Sequence, residues 1–146
     1  LFVSPVLAED LHLSGVPEIT LSLASNKAAA NLSVWLVSLP WDKGMGAKIT
    51  DNIITRGWAD PQNYQSLTES DSLVPGQFYD LSFKLNPDDQ VLRKGQQIGL
   101  LIFSSDREFT LWPEPGTELT IDLSGSSLKL PIVGGAATYL KAIQAL

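Results

Sequence analysis

Cysteine is absent from this 146-residue chain, and histidine and methionine occur once each. Without thiols there is no disulfide, no thiolate metal site and no cysteine nucleophile. The composition suits a reducing compartment, and a cytoplasmic location is the expectation. Basic side chains are scarce: 10 Lys and Arg stand against 16 Asp and Glu, a formal net charge of -6. Such a surface repels phosphate backbones, so nucleic acid is disfavoured as a partner. No apolar run approaches the roughly 18–20 residues that cross a bilayer, so no membrane partner is expected. A signal-peptide pattern is missing as well. The chain enters on Leu1, Phe2, Val3 and Pro5 with no polar lead-in, and is read as one piece of a longer polypeptide.

What is present is period-two alternation, which puts apolar side chains on one face of a strand. Ile19, Leu21 and Leu23 alternate with small polar residues, and Tyr79, Leu81, Phe83 and Leu85 do the same. Leu32, Val34 and Leu36 alternate with Ser33, Trp35 and Val37, so that strand is expected to be buried on both faces, with Trp35 in the core. Ile98–Phe103 is a nearly continuous apolar run, the pattern of a central strand. Leu119, Ile121 and Leu123, then Leu128, Leu130 and Ile132, close the series. Turn residues separate these runs at Ser14–Pro17, Val74–Gly76, Asn86–Asp89, Lys94–Gly95, Pro113–Gly116 and Ser124–Ser126. Short strands with frequent turns predict one all-β domain over residues 1–146, a jelly-roll β-sandwich. Pro40–Thr50 reads as a long loop. Ala136–Leu146 is compatible with a short terminal helix with Ala137, Leu140 and Ile143 on one face.

The chemistry a hydrolase needs is hard to assemble. A triad requires a nucleophile, a base and a group to orient the base. The lone His12 lies between Leu11 and Leu13 and reads as a strand or loop residue. Ser126 and Ser127 follow Gly125, but no Gly-x-Ser-x-Gly elbow results. Metal ligation would fall to oxygen alone, from Asp88 and Asp89 in a proline turn or Glu69 and Asp71 in a polar loop; solvated turns explain both. No catalytic residue, metal or cofactor is expected. Asn31-Leu32-Ser33 is a glycosylation sequon by letter at the start of a strand that reads as buried. Gly44-Met45-Gly46 lacks the third glycine of a dinucleotide loop. Trp41, Trp58 and Trp112 lie beside turn residues and suit end-plugs of the sandwich, a domain interface or a ligand platform. Arg56-Gly57-Trp58-Ala59-Asp60-Pro61 reads as a structural corner in which Arg56 and Asp60 pair across a tight turn. The candidate interface is therefore Arg56, Trp58, Asp60, Trp41 and Trp112.

The ordered series Leu13–Pro17, Arg56–Pro61, Ser66–Leu67, Leu73–Gly76, Phe83–Asp89, Lys94–Leu100, Phe103–Asp106, Pro115–Thr117 and Ser126–Gly134 resembles the C-terminal non-catalytic β-domain of the Xaa-Pro dipeptidyl-peptidase family. Each motif is weak alone; their order over most of the chain carries the resemblance. The motif wording is similar to that of the lactic-acid-bacterial enzymes. Gln96-Gln97 stands where many relatives carry His-Arg, so any role of that pair is not carried over. The resemblance implies an upstream α/β-hydrolase domain in the same chain that holds a Ser-Asp-His triad. It also implies proline-containing peptides as substrates of the intact enzyme, and a homodimeric parent is compatible with it. Three alternatives stay open: a carbohydrate- or other ligand-binding jelly roll, the same accessory domain from an esterase or acylase, and an enzyme working through carboxylates alone.

Overall fold

Alternation becomes sheet wherever one face can be buried. The computed structural model describes residues 1–144, and nine strands, one α-helix and two short 3-10 turns form among them. The strands are β1 (Phe2–Val3), β2 (Leu11–Gly15), β3 (Glu18–Ser25), β4 (Leu32–Leu39), β5 (Ile53–Ala59), β6 (Phe78–Lys84), β7 (Asp88–Leu92), β8 (Gln97–Phe103) and β9 (Leu119–Lys129). The helix, α1, spans Gly135–Ile143. Strands pair in the orders β1-β8-β4-β5, β6-β3-β9 and β2-β7, and all the pairs are antiparallel. The expected all-β sandwich is what forms.

Its core draws on every sheet. Leu21 and Leu23 of β3, Leu32, Val34 and Leu36 of β4, Leu81 of β6, and Leu11 and Leu92 of the β2-β7 pair all belong to one buried cluster. Tyr79 joins it while its hydroxyl accepts a hydrogen bond from the Val74 N–H at 2.9 Å, so the buried ring keeps a partner for its polar end.

Gly57 shows how closely the β4-β5 pair is packed from the core side. It lies opposite Val34, and a Cβ there would come within 3.0 Å of Leu85 Cγ and 3.2 Å of Leu85 Cα. The Leu85 backbone is held in place. Its N–H donates to Pro17 O at 2.9 Å, and the next N–H, of Asn86, donates to Arg56 O at 2.7 Å. Gly57→Ala is therefore expected to destabilise by about 1.5 kcal/mol, an overpacking cost of about 2 less an unfolded-state entropy gain of about 0.5. Urea unfolding of the two proteins measures it.

Several turns expected from sequence are strand. Asp88 and Asp89 open β7 opposite Gly15 and Ser14, because β2 offers them a ladder that no local signal announces. Ser124–Ser126 lies inside β9 as an irregularity: between two pairings β9 advances five positions, Asp122 to Ser127, while β3 advances two, Ser22 to Thr20. Asp122 holds the excursion by accepting from the Ser124 N–H and hydroxyl at 2.9 and 2.8 Å. Those two bonds, side chain first, hold its carboxyl below the usual carboxylate range. Gly125 is required because a Cβ would lie 2.9 Å from Ser22 Cβ. The expected Pro40–Thr50 loop is present up to Lys48, and Ile49 and Thr50 begin a short 3-10 turn, Ile49–Asn52. Buried Asn52 pins it, accepting from the Asp42 N–H at 2.9 Å.

The terminal helix forms with a different buried face from the one expected. Ala142 is buried, and Tyr139 and Ile143 pack on the core, while Leu140 is exposed and Ala137 faces solvent. The spacing 139, 142, 143 is equally helical, and Tyr139 brings more apolar area than Ala137. The Ala142 carbonyl accepts from the Ala8 N–H at 2.7 Å, which seats the helix on the segment before β2. Ala145 and Leu146, the end of the expected helix, lie outside the described residues.

Candidate functional site

Two regions stand out, and the first gathers around a buried carboxylate. Paired residues of adjacent strands share a face. Trp35 pairs with Arg56 and Leu101, and Ser33 pairs with Trp58 and Phe103, so all six lie on the face of the β1-β8-β4-β5 sheet opposite Val34 and Leu36. Trp35 is thus not in the core between the sheets. It lies on the other face of β4, half-buried beneath the segment that follows β8. That segment contributes Asp106, 4% exposed, whose Oδ2 accepts from Trp35 Nε1 at 2.8 Å and from Trp58 Nε1 at 3.3 Å. Its carbonyl accepts from the Phe109 and Thr110 N–H groups at 2.9 and 2.8 Å, so the same residue folds the segment and ties it to the sheet.

Arg56 does not pair with Asp60 across a turn. It sits within β5, with its guanidinium carbon 5.3 Å from the Trp35 ring centroid and 5.1 Å from that of Phe109. The cation lies against aromatic faces, an attraction of about 0.5–2 kcal/mol. Its Nε is buried without a hydrogen-bond partner among the described residues. Asp60 acts locally instead, where its Oδ1 accepts from the Gln62 N–H at 2.9 Å and caps the short turn Pro61–Asn63.

Trp58 is in β5, half-buried, with its ring 5.2 Å from Phe109. Trp41 is half-buried in the loop after β4, away from that cluster's bonds. Trp112 is 66% exposed with the Arg107 guanidinium 4.1 Å above it. The structure therefore joins Arg56 and Trp58, sets Asp60 beside Trp58 in the lining of a groove of about 320 Å³, and leaves Trp41 and Trp112 outside that cluster's bonds. Asp106 and Phe109 were not among the candidate residues that the sequence offered; the signal available was Asp106 itself, an acid that follows the apolar strand after Ser104 and Ser105.

The second region is apolar. A groove of about 600 Å³ opens between β1-β8 and the end of β9, floored by Ile98, Leu100, Leu128 and Leu130 and walled by Tyr139 of α1. A smaller groove of about 140 Å³ lies farther along β8 and shares Phe2, Leu100 and Leu128 with it. Phe2, Val3 and Leu123 around them are 42%, 54% and 62% exposed.

Neither region holds a hydrolytic constellation. His12 lies in β2, and its Nε2 contacts Asp89 Oδ1 across the β2-β7 pair, both side chains in solvent. That is a base with an orienting carboxylate, but among the described residues no hydroxyl hydrogen-bonds the ring. Among the same residues no three His, Asp or Glu side chains gather as a metal site. The sequon residue Asn31 donates its amide to Leu111 O. Among Trp41, Trp58 and Trp112 only the last is exposed, so the paired flat platform that a sugar-binding reading requires does not form.

The family model described as the X-Pro dipeptidyl-peptidase C-terminal non-catalytic domain matches residues 1–144. Two relatives named "Putative Xaa-Pro dipeptidyl-peptidase" are similar: that of Rhodopirellula baltica is 65% identical over 92% of this chain and 22% of its own length. That of Bacillus cereus is 40% identical over 90% of this chain and 21% of its own. An Xaa-Pro dipeptidyl-peptidase of Lactobacillus delbrueckii subsp. lactis is 33% identical over 84% of this chain and 19% of its own. The chain thus spans about a fifth of the length of the curated relatives it matches. Among solved structures, an alpha-amino acid ester hydrolase superposes with a TM-score of 0.72 at 18% identity, covering 90% of this chain and 25% of that one. A CocE/NonD family hydrolase from Staphylococcus aureus gives 0.66 at 14%, covering 90% and 30%. At these identities the likeness is one of fold.

Proposed function

The chain belongs to the family of X-Pro dipeptidyl-peptidase C-terminal non-catalytic domains, and from that membership we propose that it is the accessory β-domain of a serine-type Xaa-Pro dipeptidyl-peptidase. Residues 1–146 make up one domain of that parent. An α/β-hydrolase domain earlier in the same polypeptide carries the nucleophile and base, and the parent releases X-Pro dipeptides from free peptide N-termini. Proline lacks an N–H and fixes φ, so general peptidases handle such termini poorly and a dedicated enzyme has a use. The observation that carries this reading is the family match along nearly the whole chain. The lack of cysteine supports a cytoplasmic parent.

The segment that carries Arg107, Phe109 and Trp112, held on the sheet where Phe109 packs on Arg56 and Trp58, is assigned to contact with the hydrolase domain. Exposed aromatic rings backed by a fixed cation suit a partner surface. Hydrolysis of an X-Pro chromogenic substrate by this chain and by the full-length parent tests the assignment of chemistry. Turnover is expected in the parent only. Turnover by this chain would overturn the reading and return attention to His12 and Asp89.

A further inference from the structure

The edge of β8 is only half used. β1 contributes two residues, Phe2 opposite Leu100 and Val3 opposite Gly99. The Ser4 N–H donates to Ile98 O at 2.9 Å, and the Ile98 N–H donates to Ser4 Oγ at 2.9 Å, so the backbone groups of Ile98 point at β1. Antiparallel strands alternate the direction of these groups, so those of Leu100 and Ile102 point the same way. Continuing the register by two positions from Phe2 brings the residue immediately before Leu1 opposite Ile102. Among the described residues nothing pairs with β8 on that side beyond Leu100. An unpaired edge with apolar flanks is a template for another strand.

Side-chain direction adds a second observation. The residue before Leu1 shares the face of Phe2, which is the inward face. There the 140 Å³ groove waits, bounded by Phe2, Leu100, Ile102, Ile121 and Leu123. Backbone edge and apolar groove thus call for the same occupant: an extended segment with one apolar side chain at that position.

We propose that the residues immediately upstream of Leu1 in the parent polypeptide continue β1 along β8 to Phe103 and fill this groove. The parent has chain on that side because the matching family is a C-terminal domain and this chain covers about a fifth of its relatives. The inference rests on the accessory-domain reading given above. It makes the junction between the two domains a shared strand and not a free linker, so the catalytic domain's position is coupled to this sheet through main-chain hydrogen bonds.

Amide hydrogen exchange over residues 97–103, in the full-length parent and in this chain, tests it. The Ile102 amide is expected to exchange on the order of a hundredfold more slowly in the parent, since frayed edges open at almost no free-energy cost. Proline at the two positions before Leu1 is expected to abolish that difference while the parent remains folded and active. Equal exchange in parent and chain overturns the proposal, as does protection that survives the prolines, which would mean that another part of the parent covers the edge. Concentration-dependent protection in this chain alone would assign the edge to a second copy and also overturn it. X-Pro hydrolysis by the same parent sample separates the two ideas. Hydrolysis with an unprotected Ile102 removes only the shared strand, while absence of hydrolysis removes the peptidase reading.

Discussion

Replacing Asp106 with alanine is expected to lower the free energy of unfolding by about 3 kcal/mol, because two indole N–H groups lose one charged acceptor. The carboxylate is 4% exposed, and a single oxygen, Oδ2, accepts from both Trp35 and Trp58. Methyl in its place leaves both donors without that acceptor. The loss should also free the 106–112 segment, since Phe109 packs on Trp58 and under Arg56 only while that segment is held down. Asp106→Asn is the discriminating control. Its side-chain oxygen can occupy the Oδ2 position and accept from both indoles, so only the charge assistance is lost, about 1 kcal/mol. Urea unfolding followed by tryptophan fluorescence measures both variants. Equal losses for alanine and asparagine would show that the charge, and not the acceptor, holds the cluster.

Leu36→Ala is the second large effect, with an expected loss of about 3.5 kcal/mol and an unchanged urea m-value. Leu36 has 0% exposure and sits at the centre of β4, between Thr55 on β5 and Leu100 on β8. Neighbours on both sides are fixed by ladders, so the sheet cannot close over the space left, and the cavity cost adds to the transfer cost. The same truncation at Leu123, 62% exposed, should cost less than about 0.5 kcal/mol in this chain. A domain of this size has roughly 5–15 kcal/mol in hand, so the Leu36 variant remains folded but visibly weakened.

Residues read correctly from sequence were those whose environment is set by strand geometry alone. Leu32, Val34 and Leu36 are buried, and Ser33 and Val37 on the other face are buried too, as the apolar Trp35 and Val37 on that face implied. Where the local signal was a turn, pairing partners overruled it. Asp88 and Asp89 have turn chemistry but lie in β7, since Gly15 and Ser14 of β2, far back along the chain, supply a ladder. Arg56–Pro61 reads as a corner because Gly57 sits in it and Pro61 closes it. That glycine is instead the gap into which Leu85 packs. Trp35 was placed in the core by its strand, yet its register partners Arg56 and Leu101 put it on the opposite face, where a later segment covers it.

The sequence by itself determined the all-β class and the membership in a non-catalytic domain family. These follow from two-residue periodicity, residue inventory and ordered turn motifs, all of which are local along the chain. Only the tertiary structure decided that Asp106 would meet Trp35 across 71 residues and Trp58 across 48, that Arg56 would lie between two rings, and that β8 would keep half an edge open. The physical reason is that alternation fixes which face a side chain takes but not which strand lies beside it. That choice is made by burial and register summed over the whole sandwich, and no window of sequence contains it.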